Sequence, residues 1–190
     1  MEYAQNIFLE RELYDGFNLV LFDLRPEHMK AVYVTNRGDD GKGGRGSLRV
    51  LDNDSVTGLS NSTIDDLSWP KIRHGKAQVS EILKDSIDKV DTDKQDKQTI
   101  TGLMELMRDT SPFNHDILPQ RVEDLKQCIF VPRLSGNIKI LANESYGTRS
   151  TNVLLLRESK LAIAECNYAN DNVHNENNAD TSIMQFNLSF

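Results

Sequence analysis

Residues 144–166, "ESYGTRSTNVLLLRESKLAIAEC", decide how the chain is read. A polar turn with one arginine and a row of hydroxyls gives way to two aliphatic runs, parted by a short charged break. Apolar runs of this length, bounded by turn residues, predict paired strands. "TSIMQFNLSF" (181–190) continues the pattern beyond an Asn-rich stretch. There Ile183, Gln185, Asn187 and Ser189 alternate with Met184, Phe186, Leu188 and Phe190, the period of two that a strand requires. "CIFVP" (128–132) and "NIKILA" (137–142) read as strands as well.

Upstream, residues 1–13 predict a short helix with Ile7, Phe8 and Leu9 on an imperfect apolar face. Asp15-Gly16 then turns the chain into a strand in which Phe17, Leu19, Leu21 and Asp23 share one side. "RPEHM" is a turn and "KAVYVTNR" a second strand, so the two form a hairpin. Gly41, Gly43 and Gly46 satisfy G-x-G-x-x-G. The dinucleotide fingerprint needs a helix after it, and "SLRVLDND" is strand-like or irregular, which favours a surface loop. A helix starts near Pro70, a residue suited to a first turn, with Val79, Ile82, Leu83, Ile87 and Val90 at helical spacing. Residues 88–98 form a solvated linker or frayed helix end. A second helix follows, with Ile100, Leu103, Met104 and Met107 as core filler. A hairpin, two helices and a meander of strands predict one layered α+β domain over residues 1–190, with 38–47 and 169–180 as flexible loops.

The 190 residues carry 29 acids against 22 Lys and Arg, a formal net charge of −7. No basic face offsets this, which argues against a nucleic-acid partner, whose phosphates would supply most of the affinity. No apolar run reaches the length of a membrane span, and the acidic first ten residues do not read as a signal peptide. Cys128 and Cys166 make no CxxC pair, and His28, His74, His115 and His174 are scattered, so no metal site is expected. The reading is a cytoplasmic chain with two packed thiols and no catalytic nucleophile.

Two stretches have chemistry to offer. "TGLSNSTIDDLSWPKIRHGK" (57–76) sets Asn61 in a polar turn, where its amide suits an anion or a carbonyl oxygen. "YGTRSTN" (146–152) does the same with Arg149, whose planar fork matches a carboxylate or phosphate, and adds the donors Ser150, Thr151 and Asn152. The spacing is equally compatible with Arg149 paired to a nearby acid, and with Gly147 there to permit a positive φ.

"YDGFNLVLFDL…VYVTNRG", "TGLSNSTIDDLSWPKIRHGK" and "SYGTRSTNVLLL" resemble, in order and rough spacing, the signature blocks of the Transport and Golgi organisation protein 2 family, also called NRDE. The resemblance implies a four-layer αββα sandwich like that of N-terminal-nucleophile hydrolases. It also implies a role in Golgi organisation and protein secretion, with links to haem trafficking and to mitochondrial and lipid metabolism. Carried over by resemblance, Asn61, Tyr146, Arg149, Thr151 and Asn152 line a pocket for a small amphipathic ligand. The family's leading Met-Cys and NRDE block have no counterpart here, since Asn36-Arg37-Gly38 matches a later motif. The chain is therefore expected to be the C-terminal two-thirds or so of a family member and non-catalytic in this form. The alternatives are an amide or acyl hydrolase whose longer form uses an N-terminal cysteine, and a carrier of haem or another amphipathic metabolite.

Overall fold

The computed structural model describes residues 2–38, 46–87, 92–113, 117–135, 145–157, 159–168 and 181–188. These form an α+β protein that divides into two compact units, residues 1–68 with Phe190 and residues 69–189. "NIKILA" lies outside the described residues, as do 39–45 of the expected loop 38–47 and all of 169–180.

In the first unit, helix α1 (Glu2–Leu9) leads into a 3-10 turn (Arg11–Leu13), so the expected helix is split near its middle. Strands β1 (Asn18–Asp23), β2 (Lys30–Thr35) and β3 (Ser47–Val50) form an antiparallel sheet in that order. Leu21 faces Val32 across the ladder, and Val34 faces Leu48. These side chains with Phe17 receive Ala4, Ile7 and Phe8 of α1, so the odd-numbered face of β1 is the one that packs against a helix.

Asn36 holds the entry to this sheet. Its Oδ1 accepts the Phe17 amide at 2.8 Å, and its Nδ2 is shared among the carbonyls of Arg11, Tyr14 and Asp15 at 3.0–3.1 Å. The other face of the sheet carries Tyr33, whose hydroxyl donates to Asn18 Oδ1 at 2.6 Å, while Asn18 Nδ2 donates to the Ser62 carbonyl at 2.9 Å. The 58–65 loop closes on itself through Asp65 N–H to Gly58 O at 2.7 Å and Gly58 N–H to Asp65 Oδ1 at 2.9 Å.

In the second unit, α2 (Pro70–Ile87) and α3 (Thr92–Leu106) pack through Gly102, whose place for a Cβ touches Ile82 at 3.5 Å. Residues 92–98, expected as linker or frayed helix end, are the first two turns of α3, and Gln95 among them is buried. A two-residue ladder joins β4 (Leu134–Ser135) to β5 (Ser145–Tyr146). The main sheet runs β6 (Ser150–Arg157), β7 (Lys160–Asn167), β8 (Thr181–Asn187), antiparallel throughout.

Burial alternates along β6 and β7. Ile100 and Met104 of α3 cover the face with Val153, Ala162, Ala164 and Cys166. Arg157 Nε donates to Asp96 Oδ1 at 2.9 Å and pins the start of α3 to the end of β6. On the opposite face Leu154 faces Ile163, which faces Met184, and Leu161 faces Phe186. Leu154 is 63% exposed there, and Met184 and Phe186 are nearly half exposed. Among the described residues no helix is long and apolar enough to cross a membrane.

"CIFVP" is not a strand. Cys128 and Val131 are buried, but the Phe130 and Val131 amides bond to Asp109 and Thr148 rather than to a neighbouring ladder.

Gly46 is the one described glycine at positive φ (+74°), and a Cβ there would stand 2.4 Å from the Thr35 carbonyl oxygen. Gly46→Ala is therefore expected to destabilise the first unit by about 1–3 kcal/mol, read as a lower urea midpoint. Gly102→Ala, at ordinary contact distance, is expected to cost no more than about 0.5 kcal/mol.

Candidate functional site

In the second unit two polar motifs dock on one segment, Leu125–Arg133. From the "WPKIRHGK" side, Lys71 Nζ donates to the Leu125 carbonyl at 2.9 Å, and Trp69 lies beneath both the Lys71 and Lys126 ammonium groups at 5.4 and 5.1 Å from its ring centroid. From the "YGTR" side, Thr148 N–H donates to Val131 O at 2.8 Å while Val131 N–H donates to Thr148 Oγ1 at 2.9 Å. Phe130 N–H meets the Asp109 carbonyl at 2.9 Å, which ties the end of α3 to the same segment. Cys128, Val131 and Leu134 anchor it from below, packed with Phe113 and Leu125.

Gly147 does not sit at positive φ, so that alternative reading of the turn is not realised. A Cβ there would lie 3.0 Å from Arg133 Cα and 3.2 Å from Pro132 O, so what the turn requires is close backbone approach.

The sequence-derived residues divide in space. Tyr146 is half exposed on β5, paired with Leu134. The carbonyl of Arg149 accepts the Tyr168 amide at 2.8 Å, and its exposed guanidinium meets no acid among the described residues, so the expected alternative of an ion pair is not realised there. Thr151 is 2% exposed on the α3-facing side of β6, and its Oγ1 has no hydrogen-bond partner among the described atoms. Asn152 leaves the strand on the opposite, exposed side. Thr151 and Asn152 therefore address different surfaces. Asn61 belongs to the first unit, exposed, with its Oδ1 at 3.4 Å from Arg37 Nη1.

Arg108 was not among the residues expected from the sequence; it follows α3 just beyond its last turn. Its Nη2 donates to Cys166 Sγ and its Nε to Tyr168 Oη, both at 3.3 Å, and the guanidinium lies 5.8 Å from the Tyr168 ring centroid. Phe130 meets the other side of Tyr168 edge-on at 5.0 Å. His74 and Asp109 were likewise unpaired in the sequence reading, yet Nε2 and Oδ2 stand 2.6 Å apart.

Both thiols are fully buried. Burial pushes the Cys128 thiol up, against the opposing pull of Lys71, so it stays protonated at neutral pH. Burial equally pushes the Lys71 ammonium down. Neither sulfur accepts a hydrogen bond from a histidine, and among the described residues no cluster of His, Cys, Asp or Glu could hold a metal ion.

Burial pushes the Asp109 carboxyl up, but the Ser111 amide and hydroxyl together with His74 outweigh it and hold it below its usual range. A carboxyl held low stabilises the fold above its unfolded value, ~3.9, and loses that contribution as pH falls through the folded value. Asp109→Asn is expected to lower the urea midpoint at pH 7, with the difference from wild type shrinking below about pH 4. An equal difference at pH 2 and pH 7 would exclude this linkage.

The searches of curated proteins and of solved structures return no significant match. The model of the family Transport and Golgi organisation 2 matches residues 1–170, a span that includes the Asn-Arg-Gly, Gly-Leu-Ser-Asn and Tyr-Gly-Thr-Arg segments described above. With nearly the whole chain inside that match, the protein belongs to the Transport and Golgi organisation 2 family.

Proposed function

We propose that this chain acts in Golgi organisation and protein secretion as a non-catalytic binding domain on the cytoplasmic side of the secretory pathway. The observation that carries the reading is the Arg149 guanidinium, exposed and without an acid partner among the described residues, on a turn clamped to Val131 and Arg133. A rigid mount with a free cation is a recognition element. Family membership supplies the Golgi and transport context.

A second reading keeps the hydrolase architecture. Each unit lays a helix on one face of a three-stranded sheet, and helix-on-sheet pairs are the building blocks of an αββα sandwich. In that reading the exposed apolar face of β6–β7–β8 is an inner face of the sandwich, and a longer form with an N-terminal cysteine would carry the chemistry.

A metabolite-carrier reading is favoured by a groove of about 370 Å³ in the first unit, lined by Tyr3, Leu21, Phe22 and Val32 with Arg25 and Lys30 at its polar side. An amphipathic molecule fits that lining. Haem does not fit as a histidine- or thiolate-ligated group, because no His or Cys lines the groove.

The test is rescue of cells depleted of the endogenous protein, scored by release of a soluble reporter and by Golgi morphology. Wild type is expected to rescue both. Arg149→Ala is expected to rescue neither while its melting temperature stays within about 2 °C of wild type, since an exposed, unpaired side chain contributes little stability. Full rescue by the variant would overturn the proposal.

A further inference from the structure

We infer that Arg149 and Arg108 flank Tyr168 as a two-arginine clamp for a phosphate group, with the Thr151 hydroxyl set behind it. This rests on Arg149 being the ligand-facing group of the reading above. The Arg149–Tyr168 backbone bond carries the β6–β7 ladder one residue beyond the Ser150–Asn167 pair. Thr151 stands opposite Cys166 in that register, so alternation returns Arg149 and Tyr168 to the same α3-facing side. Arg108 reaches this side from the end of α3 and bonds both Tyr168 and Cys166.

A guanidinium has five N–H groups. Arg108 uses Nε and one Nη2 hydrogen here, which leaves three, and Arg149 has no side-chain hydrogen bond among the described residues. Neither cation meets a carboxylate among the described residues, although the chain carries seven more acids than Lys and Arg together, 29 against 22. Thr151 Oγ1 is a buried hydroxyl with nothing to bond to, which native structures rarely tolerate. A single carboxylate would neutralise one guanidinium, whereas a phosphate near its dianionic form answers two and offers enough oxygens for both forks and the hydroxyl.

Inorganic phosphate is the first probe, titrated into the 190-residue chain at constant ionic strength and followed by calorimetry and melting temperature. Saturable binding is expected. Arg149→Met and Arg108→Met should each weaken it about tenfold, the loss of one charge-assisted pair. Arg108→Lys retains the charge without the fork and should also weaken binding, which covers the case where Arg108→Met fails to fold. Lys84→Met, an exposed cation of α2 paired with Glu81, should change nothing.

Co-sedimentation with phosphatidylcholine vesicles, with and without phosphatidic acid, separates the sources. Arg149-dependent retention on the phosphate-bearing vesicles alone assigns the clamp to a lipid headgroup. Phosphate binding without such retention assigns it to a soluble phosphorylated ligand. Equal responses to phosphate and chloride in the wild type, or unaltered affinity in both arginine variants, would overturn the clamp. Phosphate binding lost in Arg149→Met, with secretion fully rescued by Arg149→Ala, would leave the clamp standing and remove the secretory role. A rescue defect in Arg149→Ala without any phosphate binding would do the reverse.

Discussion

The reciprocal hydrogen bonds between Thr148 and Val131 are the constraint on which the polar corner of the second unit depends. They act as a ladder rung between two segments that are not strands. Val131 is buried, so loss of the Thr148 hydroxyl would strand its amide at a cost of roughly 1–3 kcal/mol. With the rung in place, Gly147 lies flat against Pro132 and Arg133, the chain enters β6 at a fixed angle, and Arg149 is delivered to the rim beside Tyr168. The same segment receives Lys71 and the end of α3, so two sequence motifs far apart in the chain are set by one short run of backbone.

The first unit uses the same device with different residues. Asn36 supplies one acceptor and two donor hydrogens to four backbone groups between Arg11 and Phe17, and the Gly58–Asp65 pair closes the loop that covers Tyr33. Side-chain amides and carboxylates here satisfy backbone groups that no regular element would reach, which is what buried loop backbone demands. Much of the polar signature in this family member is therefore architectural. Asn36, Asn18, Asp65 and Thr148 hold turns.

Part of the site was legible in the sequence. Arg149 and Thr151 stood in a motif short enough to quote, and both were named from it. Arg108 was not, because nothing local distinguishes an arginine at the end of a helix from any solvated cation. Its meaning comes from Cys166 and Tyr168, about sixty residues further on. Thr151 and Asn152 are adjacent in sequence and were grouped together, yet a strand sends successive side chains to opposite faces. The helical 92–98 turns were hidden by their charge, which resembles a linker until Gln95 and Thr99 are seen to be buried.

The sequence alone determined a period of two in β1, β7 and β8 and of three to four in α2 and α3, because side-chain direction repeats with the local backbone geometry. It also determined the family, since the motifs are contiguous in the chain. The tertiary structure decided that "CIFVP" is a platform and not a strand, that Gly147 serves close packing, and that Arg108 meets Tyr168 and Cys166. Those outcomes turn on the partner each backbone amide or guanidinium meets, and such partners lie up to some sixty residues away. Local pattern has no access to contacts at that range.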